Sequence, residues 1–596
     1  MALLVERPQT WHTATSLAST EHALELFDHA NVIALDTETN GKDVRDGSGI
    51  LYGISISARS ASGVLYVHYF SINHPDQNSR SSENISAEAF YELKQKIENY
   101  KGALVFHNAK FDLESLRTVG INYTGLFYCT MLLAHLLNEN FPQEKSLGRC
   151  AQYYLKDPGK KELPEFLAFK ALFGWEGMPS WAIKEYAEYD ANMTLRLFEL
   201  LWKLCAKEGV QEYWLNHKMP FNHVIRVMER RGIRMDVVKC IAMAATGRSQ
   251  MEDIVEILGL NPGSGKDLAE LLLNRLQLPV VKRSAKTNKP SFDKEAMEYY
   301  DEVLEHRDSD TARLVLTYRG WQKAVTSCYE PYVSLLSADG RLRCNYKLHG
   351  TKTGRMSCYH PNLQQIPRSG DKPWNGDMKS CFIAEDGWEL WEFDYAQLEL
   401  RLGTAYADEP VLKQVFNEGR DIFTEMSGPL GLERQDTKTF VYSTQYGAGI
   451  NRIKTVFNIT ADKAAQIREN YYNAYPGFRA KTKVASAKAY SNGKVRLWSG
   501  RYRHFINPEK EAHKAFNSIM QGGAADIVEA TMLRLFNEVD NENECRMLLQ
   551  VHDSVVFEIR KDQVEHYKPL IESIMSNVEP DFGVKFAVEG KRFGEK

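Results

Sequence analysis

No apolar run in the sequence approaches the ~18 residues that a membrane-spanning helix needs. The nine cysteines are scattered, with no C-x-x-C and no paired spacing. That pattern argues against a zinc ribbon or a disulfide framework and fits a reducing, cytoplasmic setting. The opening "MALLVERPQTWHT" meets Glu6 too early to form the apolar core of a signal peptide. Internal repeats and low-complexity segments are also missing. Acid is missing locally: the net charge is -4, yet Gly340 to Gly370 holds no Asp or Glu while carrying Arg341, Arg343, Lys347, Lys352, Arg355 and Arg368. Asn470 to Pro508 is likewise acid-free, with Arg479, Lys481, Lys483, Lys488, Lys494, Arg496, Arg501 and Arg503 interleaved with Tyr490, Trp498, Tyr502 and Phe505. Segregated positive charge beside aromatic rings is the footprint of a polyanion partner.

What is present is a chain of 596 residues, 43% hydrophobic, enough for about four units of ~150 residues. Residues 1 to 208 open with strand-like "NVIALDTET" and "GILYGISIS" and pass into helical "LELLWKLCAKE", which predicts an α/β domain. A helix-rich middle runs to about 330, and a third part covers 331 to 596. "NPGSGKDLAELLLNRL" looks like a phosphate-binding loop but has Leu260 in place of the first glycine and Asp267 after Lys266. Ser264 to Asp267 reads as a capping box instead.

Asp36 and Glu38 end a buried strand two residues apart, so both point to one side. "LVFHNAKFD" ends another strand and delivers Asp112; in "YAEYDANMTLRLF", Tyr186 and Asp190 share a helix face. Each acid alone is an ordinary surface or capping residue. If the segments converge, two like charges ~4 Å apart repel by about 4 kcal/mol at an effective dielectric of ~20, so the four acids call for cations. Oxygen ligands imply magnesium or manganese, and two such ions can activate a water against a phosphodiester, with a tyrosine orienting it.

"LQVHDSVVFE" predicts a hairpin with Asp553 at its tip, where the plain alternative is a turn aspartate capping its own backbone. "WELWEFDYAQLELRLGTAYA" predicts a strand ending at Asp394 and a helix from about Gln397. Together the two strand-end acids make a second two-ion site. In "RQDTKTFVYSTQYG", Arg434, Lys438, Tyr442 and Tyr446 recur every four residues along one helix face, ending at Gly447 and Gly449. Two cations followed by two aromatics suit a triphosphate followed by sugar and base, although an amphipathic helix with snorkelling basic residues has the same spacing.

The ordered motifs D-x-E, N-x-K-F-D and Y-x-x-x-D resemble the proofreading exonuclease domain of family A DNA polymerases. "KMPFNHVIRVMERRGIRMD" resembles that family's entry into the thumb and "TKTGRMSCYHPNLQQIP" its template-primer segment. "DYAQLELR", "RQDTKTFVYSTQYG" and "QVHDSVVFE" resemble its motifs A, B and C. The resemblance implies a ribonuclease H-like α/β exonuclease domain, 1–208, and a helix-rich α+β right-hand polymerase domain, 209–596, with thumb about 221–330, palm about 331–405 and 505–596, and fingers about 406–504. It implies metal binding by Asp36, Glu38, Asp112 and Asp190, and by Asp394 and Asp553, with two Mg2+ or Mn2+ ions per site and Tyr186 aiding excision. Arg434 and Lys438 would hold the triphosphate, Lys438 donating a proton to pyrophosphate. Tyr442 would lie against the deoxyribose, Tyr446 would guard the template side, and Gln397 and Glu399 would line the nucleotide, Glu399 filling the space of a 2′-hydroxyl. Arg355, Asn362, Gln364, Gln521 and His552 would contact DNA.

The implied partners are primer-template DNA and dNTPs, for a monomer without a membrane association; replication accessory proteins are compatible with the family, although Gly232 to Tyr318 has no extra block to host a borrowed clamp. The bacterial members' extra 5′ nuclease has no room before Asp36, which favours a phage source; the expected location is the cytoplasm of a bacterial or phage-infected host cell. The family usually has Glu after the His-Asp pair, but this chain has Ser554, so a third carboxylate is expected to be lost from the polymerase site. The competing readings are a nucleic-acid-binding protein with degenerate sites and a stand-alone 3′-5′ exonuclease.

Overall fold

The computed structural model describes residues 15–594, apart from 18, 42, 77–80, 158–163, 285–286, 306–308 and 367–376. Arg368 therefore lies outside the described residues. A six-stranded mixed sheet forms the N-terminal part, in the order β1-β4-β3-β2-β5-β6. Its strands are β1 (Thr15–Ser16), β2 (Val32–Thr39), β3 (Leu51–Arg59), β4 (Leu65–Ser71), β5 (Ala103–Phe106) and β6 (Phe127–Cys129). β2 and β3 are almost wholly buried, polar residues such as Thr37 and Ser55 included, because the sheet is covered on both faces. Gly53 is paired with Glu38, and a Cβ there would lie 2.1 Å from the Tyr69 hydroxyl, so only glycine lets the two strands' side chains pass. The long helix Ser180–Glu208 packs across this sheet and stops at Gly209 with φ 67, the left-handed cap that glycine adopts without strain.

The helical middle follows as expected, and Ser264 caps its helix by accepting from the Asp267 N–H at 3.3 Å. A short ribbon of β7 (Ile233–Arg234) with β8 (Arg341–Leu342) joins it to the remainder, where β9 (Asn345–Lys347) pairs with β10 (Ser357–Tyr359). An antiparallel four-stranded sheet, β14-β15-β11-β16, then carries the second group of acids; β11 is Trp388–Tyr395, β14 Cys545–Val551, β15 Ser554–Arg560 and β16 Val588–Arg592. β12 (Lys494–Arg496) and β13 (Tyr502–His504) form a separate ribbon. One continuous apolar core runs from Ala23 through Trp214 and Tyr346 to Phe586.

Buried ion pairs join the N-terminal part to the rest. Glu114 meets Arg226 at 3.0 Å, Lys110 meets Glu229, and Glu139 accepts from Arg503 at 2.6 Å and from the His504 N–H at 2.7 Å. These pairs correct the reading of the acid-free tracts as free positive surface. Arg341 binds Glu385 and the fully buried Glu558; Arg343 binds Asp339, Arg501 binds Asp526 and Arg503 binds Glu139. Asp339 lies only four residues from Arg343, whereas the acids that hold Arg341, Arg501 and Arg503 come from farther away in the chain; Phe505 is buried with them. Lys347, Lys352, Lys483, Lys488 and Tyr490 do remain exposed.

Candidate active sites

Strand alternation places Asp36 and Glu38 on one face of β2, and the Ser180–Glu208 helix lowers Asp190 onto them. One carboxylate oxygen from each of the three lies within 4.8 Å of the others. After β5, Asn108 turns the chain in the left-handed region, φ 88, and starts the helix Ala109–Thr118, whose first turn carries Asp112. Asp112 is 2% exposed, and its Oδ1 accepts from the Thr37 N–H at 3.2 Å and the Thr37 hydroxyl at 2.8 Å. Burial pushes the Asp112 carboxyl up to about 7, against the Thr37 hydrogen bonds and with help from Asp190. Tyr186 stacks on Phe166 with ring centroids 4.4 Å apart. A cavity of about 310 Å³ is lined by these four acids together with Tyr186, His107 and Trp175. The three close carboxylates Asp36, Glu38 and Asp190 are hard oxygen donors that fit a divalent cation. Thr37 escaped the sequence reading, although its place between Asp36 and Glu38 puts it on the opposite face of the strand.

The second site lies at the ends of β11 and the β14–β15 hairpin. The turn is His552-Asp553, with His552 at φ 58, and Asp394 pairs directly with Ser554 across β11 and β15. The Tyr395 N–H donates to the Asp553 carbonyl at 3.4 Å. Asp394 and Asp553 thus come together at the ends of the two inner strands. The Asp553 Oδ1 also accepts from Arg355 Nη2 at 3.1 Å, and the same nitrogen reaches Glu399 at 2.5 Å. The counter-charge on Asp553 is therefore an arginine that the motif resemblance assigned to DNA.

Gln397, at φ 50, makes the bend from β11 into the helix Leu398–Ala407. Its side chain accepts from Arg401 at 3.4 Å, so here it serves the bend. Glu399 is 8% exposed, and burial raises its carboxyl. The helix Arg434–Gln445 stands opposite. Burial, then Glu399 and Asp553, push the Tyr442 phenol up to about 12, and burial and Glu399 do the same for Tyr446, which caps the helix. Lys438 is exposed, while Arg434 is paired with Asp421 at 2.5 Å on the surface. An exposed pair of this kind contributes only ~0–1 kcal/mol and yields readily to a stronger anion.

The remaining residues assigned to DNA are more scattered. Asn362 caps a short turn by accepting from the Gln364 N–H at 3.1 Å, and Gln364 donates to Gln550 at 2.7 Å. Gln521 is half-buried on the helix Ala515–Glu538, and His552 is exposed at the hairpin tip.

Sequence models of two families match the chain: DNA polymerase family A over residues 242–595 and 3′-5′ exonuclease over 11–206. The chain belongs to DNA polymerase family A and carries a 3′-5′ exonuclease domain ahead of the polymerase domain. The thermostable DNA polymerase I of Thermus thermophilus is 32% identical over 453 residues, 72% of this chain and 52% of that protein. DNA polymerase I of Chloroflexus aurantiacus is 28% identical over 605 residues, 96% of this chain and 62% of its own length. This chain thus spans about half to three-fifths of those relatives. The fold is that of the POL domain of Pol1 from M. smegmatis, solved with DNA primer-template and dNTP: TM-score 0.81 at 20% identity, covering 98% of this chain and 99% of that one.

Proposed function

We propose that this chain extends a primer 3′ end on a DNA template by adding dNTPs, and that its first 208 residues excise mispaired 3′ ends. The observation that carries the reading is the convergence of Asp394 and Asp553 at the ends of the two inner strands β11 and β15, with Arg355 joining Asp553 to Glu399 on the helix that follows β11. Residues 209–596 would then divide into thumb (about 221–330), palm (about 331–405 and 505–596) and fingers (about 406–504).

Asp394 and Asp553 would hold two Mg2+ or Mn2+ ions at the polymerase site, and Asp36, Glu38, Asp112 and Asp190 two more at the exonuclease site. When bound, such ions favour the attacking oxyanion and stabilise charge developing in line at phosphorus. The chain's own groups do the rest. Arg434 leaves Asp421 to join Lys438 on the triphosphate, and Lys438 supplies a proton to the departing pyrophosphate. Arg355 must release Asp553 as the site loads and is then free for the duplex, beside Asn362, Gln364, Gln521 and His552. Contacts of this kind read backbone and minor-groove acceptors common to all base pairs. Tyr186 orients the water that attacks a mispaired end. The protein would act as a monomer alongside replication accessory proteins, in the cytoplasm of a bacterial or phage-infected cell.

Primer extension with magnesium and four dNTPs, on matched and mismatched termini, tests the reading. Asp36→Ala with Glu38→Ala should abolish mismatch removal and spare extension, whereas Asp394→Ala or Asp553→Ala should do the reverse. Excision surviving the first pair of changes would remove the exonuclease assignment, and a wild-type chain unable to extend a matched primer would remove the polymerase one.

A further inference from the structure

Ser554 does not leave its corner of the polymerase site without a carboxylate. Its hydroxyl lies 3.0 Å from Glu392 Oε1 and 2.9 Å from the Val551 carbonyl, so its one proton is shared between them. Glu392 precedes Asp394 by two residues on β11, which puts both side chains on the same face of the sheet. Ser554 shares that face, because it pairs directly with Asp394. Glu392 is 7% exposed, and its other oxygen is held by Lys379 at 2.7 Å. A buried acid with a donor on each oxygen is fixed in place. A longer acidic side chain at 554 would have to enter the space that this carboxylate fills.

We infer that Glu392 supplies the third carboxylate of the polymerase site from β11, and that Glu392 and Ser554 act as a positioning pair. The Ser554 hydroxyl ties the turn carrying Asp553 to the strand carrying Asp394, and so sets the separation of the two acids. Lys379 supplies the counter-charge that lets a third acid stand behind them. On this reading the carboxylate expected at position 554 is supplied instead from the neighbouring strand. This deepens the polymerase reading and rests on it.

The test is a reciprocal exchange in an Asp36→Ala/Glu38→Ala background, where metal binding reports on the polymerase site. Two quantities are read: the Mg2+ dependence of single-nucleotide incorporation, and Mn2+ affinity by electron paramagnetic resonance in a complex with dideoxy-terminated primer and dNTP. Glu392→Ser and Ser554→Glu should each lose about ten- to a hundredfold in metal affinity or rate, with the KM for dNTP at saturating metal little changed. The double exchange should restore Mn2+ affinity to within about threefold of the parent. Glu589→Gln, a change to the exposed acid paired with Asp394 across β16, should leave both readouts unchanged.

Glu392→Gln, which keeps an acceptor for Ser554 and the side-chain volume, carries the same test if Glu392→Ser unfolds; it should raise the Mg2+ requirement. Parent-like Mn2+ binding in Glu392→Gln, a double exchange no better than the weaker single change, or an equal effect from Glu589→Gln would each overturn the inference. Extension by the parent tests the polymerase reading separately, so the two failures are distinguishable.

Discussion

Thr37→Val keeps the shape of the side chain and removes one proton donor. In the structure that donor is the Thr37 hydroxyl, 2.8 Å from Asp112 Oδ1, in a place where Asp112 has almost no access to water. A hydrogen bond to a charged group contributes about 1.5 to 3 kcal/mol. The Thr37 N–H still reaches the same oxygen at 3.2 Å, so the lower part of that range applies. If Asp112 must be ionised and correctly aimed for excision, ~1.5 to 2 kcal/mol corresponds to a loss of about ten- to thirtyfold in rate. The sign for the carboxyl follows from the same contacts. Burial raises it to about 7 and the Thr37 bonds lower it, so removing one raises it further and favours the protonated form. The assay is single-turnover removal of a mismatched 3′ nucleotide, with extension of a matched primer by the same preparation as the control. Thr37→Ser keeps the donor and should stay close to wild type. Unchanged excision in Thr37→Val, or an equal loss of extension, would refute the role given to this bond.

Three further outcomes are expected. If the buried Glu399 fills the space of a 2′-hydroxyl as proposed, Glu399→Ala should raise the use of rNTP relative to dNTP; competition between the two at one template position checks it. Tyr442→Phe should increase discrimination against ddNTP by about ten- to a hundredfold with little change for dNTP, since a phenol can donate to the phosphate oxygen that a dideoxynucleotide leaves short of a donor. An unchanged ddNTP to dNTP ratio would take Tyr442 away from the sugar. Glu139→Ala should cost about 3 to 5 kcal/mol by leaving Arg503 buried without its partner, read as a lower unfolding temperature. Burial pushes the Glu139 carboxyl up, but His504 and Arg503 outweigh it and hold it at about 2 against a usual 4.5. The stability that Glu139 contributes is therefore present above about pH 4.5 and lost as pH falls toward 2, and an acid titration of unfolding in wild type and variant would reveal the difference.

Local pattern determined much of this protein. Strand ends at Asp36, Glu38 and Asp394, the hairpin tip at Asp553 and the four-residue stripe from Arg434 to Tyr446 were all legible, because side-chain direction in a strand or helix follows from its period alone. The near-miss phosphate loop was legible as a cap because the serine and acid three residues apart are themselves a local signal. Pairings between distant segments were not. Three arginines that looked like free positive surface, Arg341, Arg501 and Arg503, are spent on Glu385, Glu558, Asp526 and Glu139, and Arg355 rests on Asp553 and Glu399. Charge counts along a chain cannot reveal which acid will arrive from elsewhere. Thr37 and Asp112 are 75 residues apart, and Ser554 and Glu392 are 162 apart. Burial makes such contacts decisive, because removing water makes a carboxylate's few remaining partners set its protonation and its aim, and only the packed tertiary structure decides which partners those are.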